Sequence, residues 1–320
     1  MTTKEKYRRL VQTQEMVIFL EPWWLDIVCG KENWDVVIIE EAGALAAAFP
    51  YCMRRKYGFT WLFQPPLTPR LGPWLSPSEG KYASQFSRQK KKMALLVEQL
   101  PDFDYFCQNF NHQVTNWLPF YWKGFHQTTY YTYLFDDLSN INKIWNGFQN
   151  TVRTDIRKAQ KKTTVKSDLD IDSFIDIYEF TFRRQNLSLP YTRDFIRTLD
   201  NACDKYGRRK IFYAQDEKKR IHAAIYLVWD KTSAYYLMGG GNPELRKSGA
   251  TSLLIWEAIK FSSQVTRNFD FEGSMIEPIE RFFRSFGAKQ VPYFHISSMN
   301  RRTKLLFSIR ALLRDSWSLL

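Results

Sequence analysis

Four groups of residues have types and spacings that could do chemistry. Near the end of the chain, "RNFDFEGSMIEPIERFFRSFGAKQVPYF" runs an apolar strand into Glu272, Gly273 and Ser274 and then into a helix. Gly273 permits a backbone turn or close approach of a ligand, and Glu272 is either a proton-transfer group or a strand-end charge paired with a neighbouring arginine. Upstream, "GGGNPELRKSGATS" places Arg246, Lys247, Ser248, Gly249 and Thr251 where a loop enters a helix. Free N–H groups and the positive dipole end suit a phosphate there, and a turn capped by Thr251 or Ser252 accounts for the same residues. In "NTVRTDIRKAQKK", Arg153, Arg157 and Lys161 stand at i, i+4 and i+8, a face for phosphates or simply a solvated basic surface. Trp117, Phe120, Tyr121, Trp122 and Phe125 form an aromatic cluster that would line a groove or fill a core.

Other constellations fail. The four histidines, His112, His126, His222 and His295, are far apart, and there is no HExxH, GxSxG, P-loop or GxGxxG. Cys29, Cys52, Cys107 and Cys203 lack CxxC spacing, so reduced, buried thiols are expected rather than a disulfide framework or a zinc knuckle. The net charge of +13 is unevenly spread. Residues 1–150 carry 16 basic and 14 acidic side chains, or +2, and the remainder 30 and 19, or +11. That asymmetry favours an anionic partner such as nucleic acid, a nucleotide phosphate or an acidic membrane surface.

The elements that must position these groups are easier to read in the second half. Helical spacing in "SFIDIYEFTFRRQN" and "TRDFIRTLDNACDKYG" precedes three strands, "KIFYAQDE", "IHAAIYLVWD" and "SAYYLMGGG". A basic loop, the helix "TSLLIWEAIKFSSQ", a strand, the helix "IEPIERFFRSFG" and a last strand "QVPYFHISS" follow. The first half reads as strands at "WDVVIIEE", "ALAAAFPYCMRRKYG" and "FTWLFQPP", a helix at "SQFSRQKKKMALLVEQL" and a strand at "TTYYTYLF". With 320 residues, two globular units are expected, 1–145 and 146–320, of α+β (mixed α/β) class. No window reaches the ~18 apolar residues of a membrane span, and "MTTKEKYRRL" has no apolar leader, so a cytoplasmic protein is expected. The C-terminal "RRTKLLFSIRALLRDSW" puts Leu305, Leu306, Ile309, Leu312 and Leu313 on one stripe, which would dock on the core or lie on an anionic membrane.

The order of elements, with "LRKSGA" before one helix and "IERFFRSFGA" as the next, resembles the GNAT N-acyltransferase fold. "PWWLDIV", "VRTDIRKAQK" and "FDFEGSM…IERFFRSFGA" together resemble the FemAB-type branch, over most of the chain. The resemblance implies two tandem GNAT-like domains, each a central mixed sheet flanked by helices, in an arm-less form. It implies transfer of an aminoacyl group from aminoacyl-tRNA to an amine of a UDP- or lipid-linked muropeptide, with no covalently bound cofactor. In such a sheet Glu272 stands at the edge of the active cleft, where it would bind or deprotonate the amine, with Glu277 as second candidate. Gly273, Ser274, Arg153, Arg157 and Lys161 would then contact substrate, and the 246–251 loop the donor. Acetyl-CoA GNAT enzymes commonly carry a tyrosine where this chain has Phe283, so a proton for the leaving group must come from elsewhere, with Tyr293 the nearest substitute by sequence. An acetyl-CoA-dependent N-acetyltransferase and a non-catalytic tRNA- or lipid-binding relative remain as alternatives.

Overall fold

A computed structural model describes residues 2–305, so most of the C-terminal amphipathic stretch lies outside the described residues. The chain forms two compact units. Among the described residues, the first comprises 2–14, 19–130 and 293–305, and the second 15–18 and 131–292. The crossing thus falls at 130/131 rather than 145, and the chain returns to the first unit from residue 293. The reason lies in the last strand, whose C-terminal half pairs inside the first unit.

In the first unit, helices α1 (Thr3–Val11) and α2 (Pro22–Val28) lead into β1 (Trp34–Glu41), β2 (Ala44–Lys56), β3 (Phe59–Phe63) and the short β4 (Trp74–Leu75). Then come α3 (Tyr82–Glu98), β5 (Tyr105–Asn109) and α4 (Leu118–Trp122). The segment 44–58 is mostly the single 13-residue strand β2. Its sheet runs β1-β2-β3-β5 and is completed by His295–Met299 of β12 (Lys289–Met299), antiparallel to β5. The β3–β5 pair is parallel, so the sheet is mixed. Phe49, Phe106, Phe110, Phe120 and Phe125 fill the core beneath it. Within the aromatic cluster, therefore, Phe120 and Phe125 are core residues, whereas Tyr121 and Trp122 are exposed.

Cys29 and Cys52 form a disulfide with Cα atoms 5.8 Å apart, and Cys107 and Cys203 are free. This corrects the expectation of four thiols. Cys29 caps the C-terminus of α2 and Cys52 lies mid-strand on β2, so the pairing is set by tertiary packing and leaves no spacing signature.

The second unit begins with the end of β6 (His126–Phe135), then α5 (Ile141–Gly147), α6 (Asn150–Gln160), β7 (Thr164–Lys166), α7 (Ile171–Arg183) and α8 (Arg193–Lys205). β8 (Arg209–Gln215), β9 (Ile221–Trp229) and β10 (Ser233–Gly241) form a meander. A 3-10 turn (Pro243–Ser248), α9 (Ala250–Val265), β11 (Asn268–Asp270) and α10 (Glu277–Arg284) follow. The strand order is β6-β11-β10-β9-β8-β7, antiparallel except for β10–β11, which the α9 crossover makes parallel. In α6, Val152, Ile156 and Ala159 recur at helical spacing and pack with Leu253, Leu254 and Ile259 of α9 into one core with Phe269, Phe271 and Phe286.

Candidate active site

β10 and β11 are paired only from Ser233↔Asn268 to Tyr235↔Asp270. β11 ends there, while β10 continues to Gly241. The register of β10 against β9 also slips between Tyr236 and Met238, so Leu237 is an extra residue in a bulge. A cavity of about 500 Å³ occupies the space where the parallel pair ends. Its walls are the free stretch Tyr236–Gly241, the segment Phe271–Ser274, the face of α10 at Phe282 and Phe283, and the start of α9.

Glu272 enters this cavity on an unusual backbone. Its φ is +63°, and Gly273 follows at +63°. Two successive left-handed residues turn the chain sharply out of β11, and a non-glycine residue there stores strain of about 1–3 kcal/mol. Asp270, 1% exposed, holds the turn: its Oδ1 accepts the Glu272 N–H at 2.8 Å and the Thr132 hydroxyl proton. Gly273 also passes so near β6 that a Cβ would come within 2.1 Å of the Tyr131 carbonyl oxygen. Glycine at 273 is thus a requirement of the turn.

The 246–251 loop meets the same cavity. Gly249, at φ +80°, is the residue before α9, and no side chain caps the helix. The expected caps, Thr251 and Ser252, lie inside the first turn, and Ser248 Oγ instead accepts the Ala250 N–H at 3.3 Å. Gly249 packs on α6 so closely that a Cβ would sit 2.4 Å from the Asp155 carbonyl oxygen. Arg246, Ser248, Gly249 and Thr251 line the cavity; Lys247 faces a neighbouring one.

Other expected residues lie elsewhere. Glu277 is exposed at the first turn of α10 and is not among the lining residues. Tyr293 belongs to the first unit, where the Arg70 guanidinium lies 4.0 Å from its ring centroid, and it does not line the cavity. Arg153 donates to the Asn146 carbonyl and to Asn150, and Arg157 stacks over Trp145 at 5.8 Å. Of that trio only Lys161 lines a cavity, the neighbouring basic one.

The structure adds groups that the sequence did not single out. Tyr236 lines the cavity with its ring edge-to-face on Phe283, centroids 5.9 Å apart, and its hydroxyl over Gly239. Burial pushes this phenol up to about 12, so it stays protonated and able to donate at neutral pH. Tyr178, raised by burial and then by Tyr191 and Tyr236, also lines the cavity, with Thr181 and Arg184. Only the strand pattern "SAYYLMGGG" hinted at Tyr236, and it does not say which of two tyrosines faces a cavity. Among the described residues no group of His, Cys, Asp and Glu could hold a metal ion.

Residues 146–274 match the family model of the acetyltransferase (GNAT) domain. The matched stretch makes up most of the second unit. The whole chain is similar in fold to FemX, at a TM-score of 0.67 and 11% identity, covering 92% of this chain and 96% of that one. It is also similar to a tandem GNAT protein from the clavulanic acid biosynthesis pathway (TM-score 0.52, 10% identity, 92% and 94% covered). A third likeness is to the C-terminal domain of a putative lysylphosphatidylglycerol synthetase from Agrobacterium fabrum (TM-score 0.52, 13% identity, 97% and 96% covered). The fold is therefore that of two tandem GNAT-like domains. No curated protein sequence matches the chain.

Proposed function

We propose that this chain is an N-acyltransferase that moves an aminoacyl group from aminoacyl-tRNA to an amine of a peptidoglycan precursor, acting in the cytoplasm. The observation that carries the acyl-transfer reading is the single cavity at the end of the β10–β11 pair, which brings together Glu272, the Tyr236 hydroxyl and the uncapped start of α9. The aminoacyl donor and muropeptide acceptor rest on the FemAB resemblance and on the likeness to FemX.

The acceptor amine must be neutral to attack. Glu272 accepts its proton as the nitrogen adds to the acyl carbon, so a C–N bond forms and the ester C–O bond breaks. Backbone N–H groups at the Leu237 bulge polarise the carbonyl oxygen. Tyr236 gives its proton to the departing ribose oxygen and is reprotonated through solvent as Glu272 releases the proton that it took. Arg246 and the N–H groups that open α9 hold donor phosphates. The bulk of Phe283, where a tyrosine would stand in an acetyl-CoA enzyme, then serves to seat Tyr236.

The test is to incubate the protein with charged tRNA, or separately with acetyl-CoA, beside a UDP-linked muropeptide and to read the acceptor mass. An aminoacyl increment from charged tRNA supports the proposal. An acetyl increment alone replaces it with an acetyl-CoA-dependent N-acetyltransferase, the reading that the acetyltransferase family match favours. RNA or lipid binding with no increment from any donor would make the chain a non-catalytic relative.

A further inference from the structure

Both faces of α4, in the first unit, are apolar. Pro119 and Phe120 are buried, Phe120 within the core beneath the sheet, while Leu118, Tyr121 and Trp122, at i, i+3 and i+4, share the outer face. Tyr121 is 58% exposed and Trp122 62%, the one exposed tryptophan among the described residues. A helix that is apolar all round belongs inside a core or in lipid. The neighbouring helix α3 extends this surface. Its Tyr82, 78% exposed, stacks on Phe86 with centroids 5.8 Å apart. Lys90, at the next helical turn of that stripe, places its Nζ 5.8 Å from the Phe86 ring centroid and 5.4 Å from that of Trp122, so it joins the outer faces of the two helices.

The charges on these helices select among partners. Lys81, Arg88, Lys91 and Lys123 are exposed beside Lys90, against the acids Glu79 and Glu98, of which Glu98 is already paired with Lys123 at 3.0 Å. A second copy of the chain would bring the same cations to the contact, and residues 306–320 would add Arg310 and Arg314 against Asp315 alone. The middle of a protein–protein interface is depleted in lysine, whereas here Lys90 lies between two rings. An anionic bilayer accommodates both features, because tryptophan and tyrosine settle at headgroup level and lysine stems reach the lipid phosphates.

We infer that the outer face of α3 and α4 is a docking surface for an anionic phospholipid bilayer. Tyr82, Tyr121 and Trp122 enter the headgroup layer, and Lys81, Lys90 and Lys91 pair with its phosphates. None of these residues lines the Glu272 cavity, so membrane contact and acyl transfer stand or fall separately.

The measurement is co-sedimentation of the full chain with vesicles of phosphatidylcholine alone and of an equal mixture of phosphatidylcholine and phosphatidylglycerol. Tyr121→Ser combined with Trp122→Ser is expected to weaken partition onto the mixed vesicles at least ~10-fold, since both side chains lose their buried apolar area. Lys81→Gln combined with Lys91→Gln is expected to cost about 5-fold per cation on the mixed vesicles and nothing on the neutral ones. A control, Tyr206→Ser on α8 of the second unit, should partition as wild type does. The C-terminal amphipathic stretch is present in every form, so a loss in the aromatic variant belongs to α4. Trp122→Phe keeps partition within reach, and with brominated lipid it should remove the part of the tryptophan quenching that wild type shows. Unchanged melting temperatures exclude unfolding as the cause. No partition of the intact protein onto the mixed vesicles overturns the inference. Loss in the lysine variant with wild-type partition in the aromatic variant also overturns it, because net charge alone would then hold the protein to the membrane. So does a dimer in solution that the aromatic variant dissolves, which would assign the face to a second copy.

Discussion

Tyr236 meets Phe283 edge-to-face at 5.9 Å, so the hydroxyl absent from position 283 is offered to the same cavity from the adjoining strand. Tyr236→Phe should therefore slow turnover by ~10²-fold while leaving donor affinity unchanged, the usual loss for a positioned acid. Because burial raises this phenol to about 12, the rate should show no alkaline limb from it below about pH 10. A kcat–pH profile checks both. Wild-type kcat in Tyr236→Phe would return the role of acid to another group.

Glu272 depends on its neighbour for direction. Its N–H is fixed by Asp270 and its φ is positive, so the side chain leaves a turn that few residues adopt. Glu272→Gln should preserve the fold and lower turnover by ~10²–10⁴-fold. Asp270→Ala should lower turnover as well and cost about 1–3 kcal/mol, because the Thr132 hydroxyl and the Glu272 N–H lose their acceptor. Full activity of Glu272→Gln with every donor would make that carboxylate structural.

What the sequence showed and hid follows from the range of the forces involved. The strands "WDVVIIEE", "KIFYAQDE" and "IHAAIYLVWD" and the helix "TSLLIWEAIKFSSQ" announce themselves because periodicity and β-branching are local. Glu272, Gly273, Arg246 and Gly249 were legible as candidates because turns and loop-to-helix junctions have local chemistry, and the cavity does collect them. Tyr236 was not, because its place depends on where the β10–β11 pairing stops, a matter of register across 30 or so intervening residues. Arg153 and Arg157 share a helical spacing with Lys161, but Arg157 lies over Trp145 and Arg153 bonds Asn146 and Asn150, so only Lys161, which caps α6, reaches the basic cavity beside Lys158 and Lys162. The Cys29–Cys52 pair is likewise a product of how α2 packs on β2.

That pair gives a direct count. Denatured without reductant, the protein should release two thiols, Cys107 and Cys203, to a thiol reagent, and four after reduction. Reduction should cost about 3 kcal/mol, the loop-closure value for a cross-link of this span. Differential melting with and without reductant measures it. Four reactive thiols in protein taken directly from a reducing cytoplasm would show the bond to be absent there.

Gly249→Ala tests the junction that aims α9 at the donor. The new Cβ would meet the Asp155 carbonyl oxygen and hold a φ of +80° against its preference, at a cost of at least ~1–3 kcal/mol. Melting temperature and phosphate affinity should fall together. A stable variant with normal affinity would mean that the loop can shift without consequence.

The buried phenols set the last expectation. Tyr236 is raised to about 12 by burial, and Tyr235 and Tyr178 are raised first by burial and then by neighbouring charge. A phenol whose folded pKa exceeds its unfolded value of ~10 keeps its proton in the native state while the unfolded chain has lost it. Its contribution is therefore whole below about pH 10 and disappears as pH climbs towards the folded value, so the second unit should hold its stability to about pH 10 and then lose it steeply by pH 12. Denaturant midpoints followed by tryptophan fluorescence at stepped pH will trace the fall, and Tyr236→Phe should make it less steep. A decline that is already complete at pH 9 would belong to other groups and would remove these tyrosines from the account of alkaline unfolding.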